Sequence, residues 1–388
     1  MTPSEFRKRF PILGRRVYVN SCSQGALSVD VEQAVTAHLD SWHREGSPWE
    51  MWVDEVNRLR AQFAAAIGAD TDEIAVMPSA SAGINAVASA LDFSGQRSRV
   101  VIGPFEFPTM AQIWLAQERR GATIRWAEAD GDVLPVESYA RVIDDRTLIV
   151  PATHVCFRNG HKTDIAALAR LAHDRGAYVF LDDYQRTGSG PIDVHALGVD
   201  FMVTGCLKYL IGTAGIAFLY VRRDLIERFE PTVTGWFGRV NPFEFRIDRV
   251  DWPPSAKRFE SGTPPVQNAY AALAALRLLE RIGSAAIGAQ VTGLVERFHH
   301  AATSAGVVVR TPADGNRRGP LVVVESVDAP RLVSRLAGRG IVASCRGNGL
   351  RVSFHAYNDE ADVDAVVDAL EAEAELLARR EARSAAAS

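Results

Sequence analysis

The sequence predicts an α/β protein with a large domain, built on a mainly parallel sheet between helices, and a small α+β domain at its carboxyl end. From about residue 71 to 225, short apolar runs alternate with helical patterns, which is typical of a parallel sheet covered by helices on both faces. Beyond residue 265, helical patterns and short strands follow in an order that favours a small antiparallel sheet. A length of 388 residues is sufficient for both hydrophobic cores.

Two helices precede the sheet. Residues 29–43 and 50–67 carry apolar positions at helical spacing, and Gly68 predicts the end of the second helix. The strands and helices of the large domain then follow in chain order as EIAVM, SAGINAVASAL, SRVVIG, TMAQIWLAQERRG, TLIVPATHV, DIAALARLAHDRG, AYVFLDD, VDFMVTG and GIAFLYV.

A section without strong periodicity, roughly 230–264, separates the two domains. It is rich in Pro, Gly, Phe and Trp, and its aromatic side chains favour a contact between subunits over a substrate entrance. The last part predicts helix 266–282, helix 284–304, strand 307–310, strand 320–325, helix 328–338, a strand pair near 341–354 and helix 359–377. The predicted units are an N-terminal segment that joins the small domain and the active site, the large domain, a linking helix with the small domain, and a frayed tail: 1–28, 29–264, 265–377 and 378–388.

The charge balance excludes several classes of partner. With 43 Lys+Arg against 47 Asp+Glu, the chain has no basic field for nucleic acid or an anionic membrane. The first residues lack an apolar signal region and no run is long enough to span a membrane, so we expect a cytoplasmic protein. The four cysteines form no C-x-x-C pair, which predicts neither a zinc site nor disulfides.

Polar residues at the carboxyl ends of the predicted strands are the first candidates for a site, because ligands of open parallel sheets bind there. Ser79-Ala80-Ser81-Ala82-Gly83 follows EIAVM and opens a helix. Unpaired N–H groups and the dipole of a helix start favour a phosphate, and Ser81 adds a hydroxyl. A plain N-cap by Ser79 or Ser81 is the alternative.

Two further places lie on the same predicted edge. Asp182 and Asp183 end the strand AYVFL, where a buried carboxylate needs a partner, but no further ligand at suitable spacing predicts a metal. Lys208, in TGCLKYLIGTAG, has apolar neighbours that would lower the pKa of its amine and suit Schiff-base chemistry, although a structural lysine is the alternative. Together a phosphate site, an acid and a lysine in this order are the parts that hold pyridoxal phosphate (PLP).

The sequence resembles the class V aminotransferase branch of fold-type I PLP enzymes, which includes cysteine desulfurases, kynureninases and isopenicillin epimerase-like proteins. The resemblance covers nearly the whole chain. Its matching segments, in family order, are VYVNSCSQGALS, SASAGIN, FEFPT, VFLDDYQRTGSGPIDV, DFMVTGCLKYLIG, FESGTPP and LRVSFHAYNDEADVD.

The resemblance implies roles in cofactor binding. Lys208 would form the Schiff base with PLP and move the proton at the substrate Cα, and Asp182 would pair with the pyridine nitrogen. Gln185 would hydrogen-bond the ring O3′. The phosphate would contact the backbone of Ala80 and the hydroxyl of Ser81.

The resemblance also implies contacts with the ring, the substrate and a second subunit. Phe107 in FEFPT would stack on the cofactor, as Phe does in kynureninases. Arg351 would bind the substrate carboxylate, for which its planar bidentate donor is suited, and Asn20 would approach the substrate. Thr263 would reach the phosphate of the partner subunit, which implies a homodimer with shared active sites.

Several positions depart from the family pattern. Gly205 and Leu207 stand where the family often has Ser and His before the lysine, and Thr204 is the expected replacement hydroxyl. Phe157 stands where desulfurases carry Asn, so Phe157 or the adjacent Arg158 would contact the substrate side chain.

Cysteine placement bears on the reaction. A desulfurase needs a nucleophilic cysteine on a mobile loop, whereas Cys345 lies six residues before Arg351, apparently joined to a strand by a tight turn. Dedicated persulfide transfer is therefore not expected.

The expected activity is PLP-dependent chemistry at the Cα of an α-amino acid. Side-chain cleavage by a lyase or kynureninase-like reaction is favoured, because FEFPT most resembles the kynureninase segment. Transamination and epimerisation remain open, as does a PLP-fold scaffold without activity. A metal-dependent hydrolase on the same sheet is a remote further alternative.

Overall fold

The computed structural model describes residues 1–379. The helices are α1 (Pro3–Arg7), α2 (Val29–Glu45), α3 (Trp49–Ile67), α4 (Ala80–Ala90), α5 (Pro108–Ala116), α6 (Val136–Ala140), α7 (Ile165–His173), α8 (Val194–Leu197), α9 (Val266–Ile282), α10 (Ser284–Ser304), α11 (Ala329–Gly338) and α12 (Glu360–Ala372). The strands are β1 (Val17–Tyr18), β2 (Ile74–Met77), β3 (Arg99–Ile102), β4 (Thr123–Trp126), β5 (Thr147–Thr153), β6 (Tyr178–Asp182), β7 (Phe201–Gly205), β8 (Ala217–Val221), β9 (Leu321–Glu325), β10 (Ile341–Val342), β11 (Ser344–Arg346) and β12 (Gly349–Ser353).

Seven strands form the central sheet in the order β2-β8-β7-β6-β5-β3-β4. Strand β8 is antiparallel to both of its neighbours, and the remaining neighbouring pairs are parallel, so the predicted mainly parallel sheet is confirmed. Strands β2, β7 and β8 are buried along their whole length, as expected where helices cover both faces. The sequence analysis missed β4, because this edge strand is mostly exposed and lacks an apolar run.

The carboxyl ends of three strands lie at one edge of this sheet. Asp182 pairs with Thr153 of β5 on one side and with Val203 of β7 on the other. Strand β2 runs in the same direction as β7, since both are antiparallel to β8. The segments that follow β2, β6 and β7 therefore start at a common edge.

Helices cover the two faces of the sheet. Helix α3 ends at Gly68, whose left-handed φ of 71° gives the predicted stop. Helix α9 packs against α2 and α3, and α4 packs against β2, β7 and β8. The helix start that the sequence predicted as a phosphate site is thereby fixed on the sheet.

The small domain contains a three-stranded antiparallel sheet in the order β11-β12-β9, which confirms the predicted α+β unit. Strand β1 pairs in parallel with β10, and Asn20 forms an isolated bridge with Ser353 of β12. The N-terminal segment is thus hydrogen-bonded to the small domain.

The carboxyl-terminal part differs from the predicted elements. Residues 307–310 form no strand, because Val307 and Val309 make only isolated bridges. The predicted helix 359–377 ends at Ala372 and is followed by a 3-10 turn. Of the predicted frayed tail, Ala378 donates from its backbone N–H to Glu325 O at 3.0 Å, and 380–388 lie outside the described residues.

Residues 1–379 contain neither a membrane-spanning helix nor a cluster of potential metal ligands. None of their helices has both the length and the apolar character of a membrane span. The same stretch contains no group of three or more His, Cys, Asp or Glu that could hold a metal ion.

Candidate active site

A cavity of about 340 Å³ lies at the carboxyl ends of β2, β6 and β7. Its lining comes from the helix start after β2, the ends of β5 and β6, the turn after β7, the N-terminal segment and the β11–β12 hairpin. These residues are Cys22, Ser23, Ser79, Ala80, Ser81, Ile84, Phe107, Thr109, Thr153, Val155, Phe157, Asp182, Tyr184, Gln185, Leu207, Lys208, Arg346 and Arg351. The fold therefore brings together the three strand ends that the sequence predicted as a site.

Lys208 lies in a tight turn held by its own backbone. Ile211 N–H donates to Lys208 O at 3.0 Å, and Gly212 N–H donates to Cys206 O at 2.8 Å. Ile211 has a φ of 51°, a left-handed conformation that a β-branched residue adopts only under strain. Gly25 packs so closely on the Lys208 carbonyl that a Cβ would overlap it, so the N-terminal segment fixes this turn.

The Lys208 amine is removed from solvent. Its Nζ lies 4.4 Å from the centroid of the Tyr184 ring and 5.7 Å from that of Phe107. Among residues 1–379 it has no carboxylate within ion-pair distance. Burial lowers the pKa of Lys208 to about 8, although the charge of Asp182 acts in the opposite direction. The amine is therefore neutral in part at physiological pH, as a nucleophile requires.

Asp182 is buried at the end of β6. One carboxylate oxygen accepts the Tyr184 N–H at 3.0 Å. Burial raises the pKa of Asp182 to about 6, while the Tyr184 N–H and the charge of Lys208 lower it. A buried acid with one hydrogen bond retains acceptor capacity for a cationic ring nitrogen.

The start of α4 forms one end of the cavity. Ser79 is the N-cap, accepting the Ala82 N–H at 3.1 Å, so the N-cap alternative holds for this residue. Ala80 and Ser81 also line the cavity. Their positions in the first turn present N–H groups that the helix itself does not use.

The space beside Gly205 is filled by the Tyr184 ring, because a Cβ on Gly205 would overlap the Tyr184 hydroxyl. Thr204, predicted as the replacement hydroxyl, is fully buried in β7 and does not line the cavity. Its Oγ1 has no hydrogen-bond partner among the described residues. Tyr184, which the sequence analysis did not single out, also lines the cavity, and its hydroxyl lies beside Gly205.

Gln185 is buried between the N-terminal segment and the cavity. Its Nε2 donates to Cys22 O at 3.0 Å, and its Oε1 is buried without a partner in the described chain. An unsatisfied amide oxygen in a native site indicates a missing ligand or water. With the lysine, the acid and the α4 N–H groups, this donor and acceptor set fits PLP.

Arg351 lines the cavity from β12 of the small domain. It is 1% exposed, and its guanidinium donates to Ser344 Oγ at 2.9 Å and to Phe157 O at 3.3 Å. Its Nε has no hydrogen-bond partner in residues 1–379. Asn20, predicted to approach the substrate, does not line the cavity, and its buried Oδ1 has no partner in that part of the chain either.

Of the adjacent residues Phe157 and Arg158, the first lines the cavity and the second does not. The Phe157 ring lines the cavity and meets the Phe107 ring edge to face at 5.1 Å. Arg158 is exposed and donates to Pro104 O, so it does not line the cavity. Arg346, which the sequence analysis missed, lines the cavity instead.

A second carboxyl group lies behind Asp182. Glu106 accepts Thr153 N–H at 3.0 Å and is 2.7 Å from the Thr153 hydroxyl. Burial and the nearby charge of Asp182 raise the pKa of Glu106 to about 8, against the hydrogen bonds from Thr153. Glu106 is therefore protonated at neutral pH and leaves Asp182 as the charged acid of the pair.

Thr263 does not belong to the cavity of its own chain. It is exposed in the loop before α9 and is absent from the cavity lining. Between this loop and β8, Phe245 is 67% exposed and Ile247 is fully exposed.

Comparisons with known proteins identify relatives over most of the chain. The profile of the aminotransferase class-V family matches residues 41–366. An uncharacterized aminotransferase, YcbU, of Bacillus subtilis is 33% identical over 370 residues, covering 95% of this chain and 98% of that protein. A kynureninase of Deinococcus radiodurans is 29% identical over 357 residues, covering 88% and 85%. The apo structure of a cysteine desulfurase from Thermococcus onnurineus superposes with a TM-score of 0.86 at 23% identity, covering 96% and 98%.

Proposed function

The chain belongs to the aminotransferase class-V family and is a PLP-dependent enzyme, and from this premise we propose that it cleaves the side chain of an α-amino acid. The observation that carries the proposal is the buried Lys208 amine in one cavity with Asp182 and Arg351. A scaffold without activity has no need of this combination of buried charges, each of which is costly to desolvate.

Residues from three segments would hold the cofactor. Ala80 and Ser81 supply N–H groups and a hydroxyl for the phosphate at the start of α4, with the Tyr184 hydroxyl in place of a side chain at Gly205. Asp182 supplies the negative charge for the ring nitrogen. When bound, PLP supplies an aldehyde for amines and a ring that withdraws electrons from the bonds of the substrate Cα.

The protein residues have distinct tasks in the reaction. Lys208 would hold the cofactor through its amine, and the same Nζ would accept the proton from the substrate Cα. Arg351 binds the α-carboxylate with its guanidinium and fixes the orientation of Cα. Phe107 and Phe157, whose ring centroids are 5.1 Å apart, form an apolar part of the cavity lining.

Cleavage does not require a persulfide carrier on this chain. Cys345 pairs with Leu350 across the β11–β12 hairpin and is half-buried. A leaving group would therefore depart from the cavity directly rather than on a cysteine of a mobile loop.

Transamination is the second candidate reaction, because a relative with 33% identity is named an aminotransferase. It would use the same lysine, acid and arginine, but the proton taken by Lys208 would return to the cofactor side. The two reactions differ in their products, so the products decide between them.

We also propose a cytoplasmic homodimer with shared sites. The exposure of Thr263 and of the side chains of Phe245 and Ile247 supports a subunit contact over this surface. The cysteines among the described residues are free thiols, which supports a reducing compartment.

The test uses holoenzyme and a panel of L-amino acids, each with and without a 2-oxo acid acceptor. Side-chain cleavage predicts loss of the amino acid without an acceptor, together with release of a side-chain fragment. A new amino acid that forms only with an acceptor would establish transamination instead. Racemised substrate alone would establish epimerisation, and no consumption of any amino acid would contradict the proposal.

A further inference from the structure

Two arginines of the β11–β12 hairpin line the cavity. Arg351 lies on β12 directly opposite Ser344 of β11, and Arg346 lies two residues further along β11. Residues two apart on a strand share a face, so Arg346 and Arg351 are diagonal neighbours on the same face of the hairpin. Such positions are separated by about 7–8 Å, a distance that long side chains readily close.

Neither guanidinium is neutralised by the protein. Within residues 1–379, neither Arg346 nor Arg351 has a carboxylate within 4.0 Å. Arg346 donates only to Cys345 O, at 2.7 Å, and Arg351 donates only to Phe157 O and Ser344 Oγ. Burial and the charge of Arg351 both lower the pKa of Arg346, which places the two charges close to each other. Like charges at one end of a cavity are unfavourable unless a ligand brings negative charge.

The other charged groups of the lining do not compensate them. These are Asp182 and Lys208, at the cofactor end of the cavity. If Asp182 faces the ring nitrogen, Lys208 the aldehyde and the first turn of α4 the phosphate, as in the proposed function, the two guanidinium groups remain for the substrate. One α-carboxylate accepts one bidentate guanidinium, which leaves the second guanidinium for another anion.

We propose that Arg346 binds a second anionic group on the substrate side chain, so that the substrate class is an α-amino acid with a side-chain carboxylate, sulfinate or sulfonate. This inference rests on the proposed function, which assigns the α-carboxylate to Arg351. The hairpin then contacts the substrate at two points. Arg351 binds the α-carboxylate that all α-amino acids share, and Arg346 binds the anionic group of an acidic side chain. Phe107 and Phe157 form the apolar wall against the carbon chain between them.

The experiment measures equilibrium binding of two non-reacting acids to holoenzyme by titration calorimetry. Glutarate carries two carboxylates joined by three methylene groups, and butyrate is the same molecule with one carboxylate replaced by hydrogen. Wild type should bind glutarate about tenfold or more tightly than butyrate, since a charge-assisted hydrogen bond is lost with the second carboxylate. Arg346→Gln should abolish this preference without weakening butyrate, whereas Arg351→Gln should weaken both acids.

Two further variants serve as controls. Arg331→Gln changes an exposed arginine of the same domain that does not line the cavity, and should leave both affinities unchanged. Arg346→Lys keeps the charge and should retain part of the preference, and it decides the matter if Arg346→Gln does not fold.

The proposal is overturned if wild type does not prefer glutarate, or if Arg346→Gln weakens both acids equally. It is also overturned if Arg346→Lys folds normally but has lost the preference for glutarate over butyrate completely, as expected only of a neutral residue. The proposed function fails differently, by the absence of amino-acid consumption, and a preference for glutarate would still be measured in that case.

Discussion

Tyr184 occupies the space that a side chain at Gly205 would need, and its ring lies 4.4 Å from the Lys208 Nζ. The two residues come from adjacent strand ends, Tyr184 after β6 and Gly205 at the end of β7. The glycine that departs from the family pattern is therefore coupled to a tyrosine that fills its place. The small residue, Gly205, ends β7, and the large side chain, that of Tyr184, follows the neighbouring β6. The Lys208 amine lies over the Tyr184 ring.

Gly205→Ser should displace the Tyr184 ring. Overpacking of this kind costs about 1–3 kcal/mol in the free energy of unfolding, and the affinity for PLP should fall as well. Thermal unfolding and titration of apoenzyme with PLP measure the two effects. Gly95→Ser is the matched control, because a Cβ there meets no atom within 4 Å.

A second change tests the cause of that effect. In Gly205→Ser/Tyr184→Ala the ring is removed, so the added serine should cost less than it does alone. If Gly205→Ser unfolds at the same temperature as wild type and binds PLP equally well, the coupling between the two positions is wrong.

The uptake of PLP by apoenzyme should depend on the protonation of Lys208. An amine attacks an aldehyde only when neutral, and the neutral fraction rises with pH and is half at the pKa. With a pKa lowered to about 8, the rate constant should rise up to about pH 8 and level off above it. Stopped-flow absorbance at different pH values measures this rate.

The same measurement on Asp182→Asn tests the effect of the Asp182 charge on the pKa of Lys208. The charge of Asp182 raises the pKa of Lys208, so its removal should move the midpoint of the profile to lower pH. A rate constant that continues to rise tenfold per unit above pH 9 would show that Lys208 is not desolvated.

Glu106 should make the apoenzyme less stable as pH rises. Its pKa is raised from an ordinary 4.5 to about 8, so the folded protein binds a proton that the unfolded chain has released between these values. The stabilising contribution of Glu106 to the free energy of unfolding is therefore lost as pH rises from about 4.5 to 8. Glu106→Gln mimics the protonated acid, and its stability relative to wild type should rise by up to about 1.4 kcal/mol per pH unit in this window.

Denaturant unfolding of both proteins at pH 5 to 8 measures the difference. Glu118→Gln, at an exposed position, is the control and should show a constant difference from wild type. A Glu106→Gln variant whose stability relative to wild type stays constant from pH 5 to 8 would mean that Glu106 is ionised in the fold.

Cys345→Ser should retain activity within about twofold of wild type. The cysteine is paired with Leu350 in a hairpin whose turn is only two residues long, so it cannot carry sulfur out of the cavity. Steady-state rates with the best substrate of the panel measure the effect, with Lys208→Ala as the inactive reference. A loss of tenfold or more in Cys345→Ser would identify a sulfur carrier.

The apolar runs were sufficient to predict the sheet and its strand ends. Each of β2, β6 and β7 is a buried run with a polar or charged residue at its end or within three residues after it, which is a local signal. Strand β4 gave no such signal because an edge strand needs few apolar residues. The predicted strand 307–310 failed because its apolar residues pack without regular pairing.

The site residues that the sequence analysis missed are placed by strand pairing and by contacts between distant segments, which no local sequence pattern predicts directly. Arg346 faces the cavity because the turn at Gly347-Asn348 sets the register of the hairpin with Arg351. That short turn was a usable signal, since it fixes which residues share a face. Tyr184 and Glu106 gave weaker signals, because their roles arise from contacts with Gly205 and Thr153 on other strands.

The proposed function depends most on a covalent link between Lys208 and the cofactor, and borohydride reduction tests this link directly. The chain has four lysines, Lys8, Lys162, Lys208 and Lys257, so peptide mass spectrometry after reduction and digestion assigns the site without ambiguity. We predict a phosphopyridoxyl group on Lys208 at near stoichiometric yield and none in Lys208→Ala. A phosphopyridoxyl group on another lysine of the wild-type protein, or on none, would contradict the account.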